Sequence, residues 1–174
     1  KTVNKLYDYS KFTEEELKVP TMDEYFEICN SNGCVAFVEL KEDKGVIEAM
    51  IKAIEKYGMQ DRCVISSGNL ALLEAYRAAG GKELIHLIFA KPEQIRRVQE
   101  LGNASVSFKY SDLSAEVDLN IEGVRIKSFS QLIDHMHALG IRICFRAADT
   151  QEDALKMIEF GTDYMPSNVK TTIE

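Results

Sequence analysis

The stretch CVAFVELKED, residues 34–43, joins a short apolar strand to an abrupt run of charges. Side chains alternate between the two faces of a strand, so Phe37, Glu39 and Lys41 share one face. The residues between them are apolar and form the other face. The pattern predicts a buried strand that ends with a carboxylate and an ammonium pointing in the same direction. The rest of the chain decides what kind of sheet this strand joins.

Short apolar segments alternate with amphipathic segments along the whole sequence. Capping signals support the helices: Thr21 and Glu24 have the spacing of a capping box, and Pro92 stands at a first-turn position. Strands are predicted over 34–40, 62–66, 84–89, 104–108, 141–146 and 163–166. Helices are predicted over 22–31, 45–57, 69–79, 92–101, 129–139 and 150–160.

Strand–helix units that recur about every 20–25 residues predict parallel strands joined by right-handed crossovers. Either a doubly wound sheet or part of an eightfold barrel satisfies this pattern. We treat residues 1–174 as a single domain and residues 1–20 as a surface connection. The segment 109–128 breaks the rhythm and predicts a long loop, with a β-hairpin as one form that it could take.

Composition excludes several classes of function. The 174 residues are 45% hydrophobic and carry a net charge of −7, which argues against nucleic-acid binding. No apolar run is long enough to span a bilayer, and no glycine-rich nucleotide motif follows a strand. The four cysteines, Cys29, Cys34, Cys63 and Cys144, lack zinc-type spacing. We expect reduced, structural thiols, buried where Cys34, Cys63 and Cys144 lie in apolar strands, with a Cys29–Cys34 bridge left open.

The chemistry of residues 39–41 is suggestive because ligands collect at the carboxyl ends of parallel strands. A hard divalent cation favours carboxylate oxygens, and a phosphate oxygen favours an ammonium. Glu39 could therefore hold a metal while Lys41 holds a phosphoryl group. A solvated ion pair in a strand-to-helix loop explains the same two residues, and spacing alone does not separate these interpretations.

Five segments in order resemble the glycerophosphodiester phosphodiesterase family. A Pro-Thr-led helix and an "iEiK"-like strand come first, and the third segment is a strand that ends in two serines. The last two segments resemble the family's "ah..Gl.v..WTVN" segment and its closing "GvDyiiTn". The segments are VPTMDEYFEIC (19–29), VAFVELK (35–41), RCVISSGNLALL (62–73), LIDHMHALGIRICFRAAD (132–149) and GTDYMPSNV (161–169).

The resemblance implies a (β/α)8 barrel of the TIM type and a metal-dependent phosphoric diester hydrolase of lipid metabolism. Its substrates would be glycerophosphodiesters, which are hydrolysed to glycerol 3-phosphate and an alcohol. Glu39 would be a ligand of calcium or magnesium, and Lys41 would contact the substrate phosphate. Phe145 stands where the family has tryptophan and Arg146 where it has threonine, so both become candidate substrate contacts, with a structural salt bridge as the alternative role for Arg146.

The sequence departs from the family at its start. The family's His-Arg-Gly, the Pro-Glu-Asn and Glu-x-Asp steps and a His-Asp are absent, and residues 1–5 resemble the family's sequence just after that His-Asp. We therefore expect about six of eight strands, catalytic histidines upstream of this chain, and little activity from the chain alone. Pro166 and Ser167 also replace a Thr-Asp-like step.

Other polar residues have structural and functional interpretations side by side. His86 lies mid-strand, where it is either a satisfied core residue or, if it faces a barrel interior, part of a substrate or water network. His137 is predicted to be structural and His135 to be exposed. Ser66, Ser67 and Gly68 could bind phosphate at a helix N-terminus, although capping of the next helix explains them as well.

These observations support two functions. The first is the hydrolase just described, with a small-molecule substrate, a divalent cation, and neither nucleic acid nor membrane span. The second is a non-catalytic module derived from a barrel. Its open strand edges would need a partner segment or self-association, because proteins cover or pair exposed sheet edges.

Overall fold

The protein is described by a computed structural model over residues 9–41, 44–108, 116–145 and 149–167. Within these ranges, six α-helices alternate along the chain with the strands of a parallel sheet. The strands are β1 (Ala36–Glu39), β2 (Cys63–Ser67), β3 (Leu84–Leu87), β4 (Ala104–Ser107), β5 (Leu119–Ile121), β6 (Val124–Ile126) and β7 (Arg142–Cys144). The helices are α1 (Met22–Ser31), α2 (Ile47–Lys56), α3 (Leu70–Ala78), α4 (Ile95–Leu101), α5 (Phe129–Ala138) and α6 (Gln151–Phe160).

Five strands form one parallel sheet in the order β1-β2-β3-β4-β7. The order runs with the chain in one direction, whereas a doubly wound sheet reverses direction at a switch point. The architecture is therefore that of an incomplete (β/α)8 barrel, which confirms the predicted fold class. Residues 119–126 form the antiparallel β5–β6 hairpin inside the segment that interrupts the rhythm.

The helices begin where capping residues place them. Thr21 and Glu24 form the predicted capping box at α1, with the Thr21 amide donating to the Glu24 carboxylate at 2.7 Å. Asn69 caps α3 and Thr150 caps α6. All six helix predictions are confirmed: α1 matches at both ends, and the ends of the others differ by at most three residues.

The sixth predicted strand, 163–166, is wrong: residues 162–167 contain no strand. Asp163 does lie beside β7, and its amide donates to the Ile143 carbonyl at 3.0 Å. Its own carboxylate, however, accepts the Ile143 amide at 2.7 Å, in the place of a strand carbonyl. Pro166, three residues on, has no amide to donate to a ladder. The segment caps the edge of the sheet instead of extending it.

The two faces of the sheet differ. The helix-facing side is apolar and forms the core with the helices, while the other side, which we call the inner face, is mostly polar. The helix-facing side includes Ala36, Leu40, Cys63, Ile65, Ile85, Leu87, Ala104, Val106, Ile143 and Phe145. The inner face includes Phe37, Glu39, Ser66, His86, Ser105, Ser107 and Cys144.

Strand β1 is an edge of the sheet, and its inner-face side chains are open. Val35 and Phe37 are 59% and 46% exposed, so the predicted burial of this strand holds only for its helix-facing side. The Phe37 amide on this edge donates to the Tyr25 hydroxyl at 3.2 Å, so it is not available to pair with another strand. The four cysteines are free thiols, and Cys34, predicted to be buried, is exposed beside this strand.

Candidate functional site

Glu39 and Lys41 lie at the carboxyl end of β1, as their positions in the sequence predict. The Lys41 ammonium is 3.3 Å from a Glu39 carboxylate oxygen, and the lysine and glutamate side chains are 75% and 43% exposed. An ion pair this open contributes little to folding. Each group can therefore exchange its partner for a ligand at low cost, the carboxylate for a cation and the ammonium for an anion.

The structure offers only part of a metal site. Among residues 9–41, 44–108, 116–145 and 149–167, no group of three or more acidic, histidine or cysteine side chains is arranged to hold a metal ion. Glu39 supplies one carboxylate, and its nearest charged partner is a cation. Calcium and magnesium need several oxygen ligands, so the described residues do not fit such an ion by themselves.

Phe145 is not brought to this pair. The Phe145 ring is 1% exposed on the helix-facing side, and it packs edge-on against Phe129 of α5 with the ring centroids 5.0 Å apart. Its parity along the chain matches Ile143, which also faces the helices. A contact between Phe145 and a ligand remains a prediction that this packing does not favour. Arg146 lies outside the described residues.

The serines at the end of β2 have structural roles. Ser67 donates to the Leu40 carbonyl at 2.6 Å and accepts the Asn69 amide at 3.1 Å, so it joins two strand ends to the start of α3. Ser66 donates to the Val38 carbonyl at 3.3 Å. Both side chains are buried. These contacts confirm the structural interpretation, in which the two serines form local hydrogen bonds at the start of α3.

His86 occupies the inner face, in the same row as Glu39. The register pairs Glu39 with Ser66, Ser66 with His86, and His86 with Ser105 across four neighbouring strands. Its ring meets Phe37 edge-on at 5.7 Å, and Phe37 shares a face with Glu39. Glu39 and His86 therefore face the same side of the sheet, two strand spacings or about 10 Å apart at their Cα atoms.

A buried polar cluster forms around His86. Its Nδ1 lies 2.9 Å from Ser105 Oγ and 2.6 Å from the Tyr164 hydroxyl oxygen. Tyr164 in turn donates to Ser105 at 2.6 Å, and Ser105 donates to the Ile85 carbonyl at 3.1 Å. His86 is 4% exposed, and burial lowers its pKa to about 4. The ring is therefore neutral at physiological pH.

The cluster contains groups that the sequence does not single out. Tyr164 comes from the turn after α6, and burial raises the pKa of its hydroxyl well above the ordinary value. Burial also raises the pKa of the neighbouring Cys144 thiol to about 12, so this thiol is not a nucleophile at neutral pH. The alternation of serine with apolar residues in ASVSF (104–108) signals a polar inner face, but nothing local to Tyr164 predicts its partner.

The other histidines belong to the helix layer. His137 contacts the Asp163 carboxylate at 2.9 Å and helps to fix the segment beside β7, which agrees with a structural role. The prediction that His135 is exposed is wrong. This residue is half-buried beside the fully buried Met136, and its Nε2 is enclosed without a hydrogen-bond partner among the described residues.

A cavity of about 770 Å³ opens at the amino ends of the strands, opposite Glu39. Glu83 and Arg142 are among its lining residues. The buried Glu83 carboxylate accepts hydrogen bonds from the Tyr76 hydroxyl and from the Lys82 amide. In barrels of this type the amino-terminal face serves stability and the carboxyl-terminal face serves chemistry. We therefore place the candidate site at the Glu39 end.

Comparison with solved structures supports the same architecture. The chain superimposes on a protein from Galdieria sulphuraria described as a glycerophosphodiester phosphodiesterase, with TM-score 0.66, 19% identity, and 90% of this chain and 66% of that one covered. A protein from Silicibacter pomeroyi DSS-3 described as a glycerophosphoryl diester phosphodiesterase gives TM-score 0.64 and 20% identity, with 86% and 52% covered. A glycerophosphodiester phosphodiesterase from Parabacteroides distasonis ATCC 8503 gives TM-score 0.64 and 15% identity, with 92% and 66% covered.

These matches confirm the resemblance at the level of the fold. The chain spans between about half and two thirds of the length of these three proteins. No family model and no curated protein matches the sequence. In the part of the chain that the structure describes, no helix is both long and apolar enough to cross a membrane.

Proposed function

We propose that this chain forms part of a phosphodiesterase that hydrolyses glycerophosphodiesters to glycerol 3-phosphate and an alcohol. The observation that carries the proposal is the exposed Glu39–Lys41 pair at the carboxyl end of β1. It lies in a barrel whose fold is shared with three proteins of that class. Ligands of such barrels bind at this end of the strands.

Lys41 is the proposed contact for the substrate phosphate. Its ammonium is 75% exposed, and a phosphodiester oxygen would replace the Glu39 carboxylate as its partner. The positive charge would then stabilise the negative charge on the nonbridging oxygens as the phosphorus centre is attacked.

Glu39 is the proposed ligand for calcium or magnesium, together with groups outside the described residues. The described residues supply a single carboxylate at this point, so no reaction step is assigned to the ion. When bound, such an ion would neutralise charge on the phosphodiester oxygens. The expected histidine acid and base are likewise not among the described residues, because the three histidines present are buried or engaged elsewhere.

The test is an assay of the full-length protein with glycerophosphocholine and with glycerophosphoethanolamine, in which released glycerol 3-phosphate is measured. Lys41→Gln should lower kcat/KM by about 100-fold, the typical effect of removing one group that stabilises an oxyanion. Lys52→Gln is the matched control, since Lys52 is an exposed lysine on the surface of α2. Hydrolysis that survives Lys41→Gln unchanged would remove Lys41 from the site.

A full-length protein that binds these diesters without hydrolysing them would favour the non-catalytic module. The open inner face of β1, with Val35 and Phe37 exposed, is the feature that such a module would use. A sedimentation measurement on the full-length protein then separates self-association from the recruitment of a different partner.

A further inference from the structure

The number of hydrogens available to the contacts of the His86 cluster indicates which nitrogen of the ring is protonated. Four close contacts join His86 Nδ1, Ser105 Oγ, the Tyr164 hydroxyl and the Ile85 carbonyl. In the arrangement that satisfies the Ile85 carbonyl, Ser105 donates to Ile85 and Tyr164 donates to Ser105, so both hydroxyl hydrogens are used. An unprotonated Nδ1 would then face two oxygen lone pairs at 2.6 and 2.9 Å with no hydrogen between them. A hydrogen on Nδ1 gives every one of these contacts a hydrogen, and this is the tautomer that we assign to the ring.

This tautomer leaves Nε2 as a free acceptor. A neutral imidazole has one donor and one acceptor nitrogen, so a hydrogen on Nδ1 makes Nε2 unprotonated. Nε2 has no hydrogen-bond partner among the residues that the structure describes. Among the described residues, Nε2 of His86 is not one of the enclosed side-chain atoms that lack a partner, so this unpartnered acceptor is open to water or to a ligand on the inner face.

The surroundings define what Nε2 can receive. The ring stands between Phe37 and Tyr164, both edge-on at 5.7 Å, so an apolar surface flanks the acceptor. The acceptor is neutral and faces the side of the sheet on which Glu39 lies. A hydroxyl on a short carbon chain suits it: the O–H donates to Nε2 while the carbons contact the rings.

We infer that His86 Nε2 accepts a hydrogen bond from a carbon-bound hydroxyl of a polyol ligand on the inner face, with Ser105 and Tyr164 as the residues that hold its tautomer. The choice of a glyceryl group as that polyol rests on the proposed function. The acceptor role of Nε2 does not. His86 then contributes to recognition of the glyceryl end, while Lys41 contacts the phosphate.

The test uses the full-length protein labelled with ¹⁵N-histidine and a long-range ¹H–¹⁵N correlation spectrum, in which the two tautomers have different patterns. The expected spectrum shows His86 with a protonated Nδ1 and a bare Nε2 at pH 7. Ser105→Ala should shift the ring toward the Nε2–H form, because Tyr164 can then donate to Nδ1. Ser66→Ala, the neighbouring inner-face serine, is the matched control and should leave the pattern unchanged. A wild-type ring with Nε2–H overturns the inference.

Ligand titrations identify the partner of Nε2. Glycerol 3-phosphate should shift the His86 Nε2 signal, while His135 and His137 in the same spectrum stay fixed. Inorganic phosphate, which lacks a carbon-bound hydroxyl, should leave Nε2 unmoved. If glycerol 3-phosphate binds without moving Nε2, the inference fails even where the diester is hydrolysed. If Nε2 moves while no diester is hydrolysed, the inference stands and the proposed function fails.

Discussion

The two faces of the parallel sheet belong to the same strands, but one is packed with apolar side chains and the other carries hydrogen-bonded polar groups. On the helix-facing side, Ile65 and Ile85 are fully buried and pack into one apolar core. The next residue on each strand, Ser66 after Ile65 and His86 after Ile85, points to the inner face. Both are buried polar groups with hydrogen-bond partners. Packing alone explains the first face. The second carries polar groups that packing does not require, and their arrangement is what a binding surface needs.

The largest effect expected from this comparison is on the helix-facing side. Ile85→Ala should lower the free energy of unfolding by about 2–5 kcal/mol, because it leaves a cavity in a closely packed core. Phe37→Ala, on the half-open inner face of β1, should cost about 1 kcal/mol, since its ring is already 46% exposed. Urea unfolding of both variants measures the difference. Equal losses would show that the inner face of β1 is packed like the core.

A pH effect of intermediate size should arise on the inner face. Folded His86 resists protonation down to a pKa of about 4, whereas the unfolded residue takes up its proton near pH 6.5. The unfolded state therefore binds more protons between these values, and the protein should lose about 3 kcal/mol as the pH falls from 6.5 to 4. Above about pH 7.5 the histidine is neutral in both states, and no further change from this residue is expected.

His86→Gln isolates that contribution, because glutamine cannot titrate. Tyr164, which contacts His86, and Cys144, which interacts with Tyr164, have raised pKa values and remain neutral throughout this range. The difference between the wild-type and variant stability curves, measured by urea unfolding at each pH, should therefore depend on His86 alone. Parallel curves would mean that His86 is solvated like a surface histidine.

The smallest effect on stability is expected at Glu39, where we expect a large effect on hydrolysis. Glu39→Gln should change the free energy of unfolding by about 0.5 kcal/mol or less, because its ion pair with Lys41 is open to solvent. Thermal unfolding of the variant beside the wild type checks this. A loss of about 2 kcal/mol would place Glu39 among the structural residues and weaken the case for a ligand site.

The sequence predicts the helix-facing side of the fold well, because the signals there are local. Apolar spacing along α2 and α5 and the capping box at Thr21 each depend on a few neighbouring residues. The predicted strand at 163–166 is wrong because Asp163 uses its side chain to bond β7, and no local pattern distinguishes that from a ladder. The face on which Phe145 lies is equally hard to predict, because it depends on the register of β7 with its neighbouring strand.

The inner-face cluster is predictable only in part. His86 is a candidate because it is a polar residue in an apolar strand, and the serines of ASVSF alternate as an inner face requires. Tyr164 lies 78 residues from His86 along the chain, so only the folded structure brings the two together. The tautomer of His86 depends on that long-range contact, so it cannot be predicted from local sequence patterns.

Hydrolysis of glycerophosphocholine by the full-length protein, with wild type and Glu39→Gln compared in calcium and in magnesium, tests the central claim most directly. Glu48→Gln, an exposed carboxylate on α2, serves as the control. The proposed site predicts that the wild type and the Glu48 variant release glycerol 3-phosphate, and that Glu39→Gln reduces kcat by about 100-fold or more while the fold is retained. Wild-type hydrolysis with undiminished turnover in Glu39→Gln would contradict it.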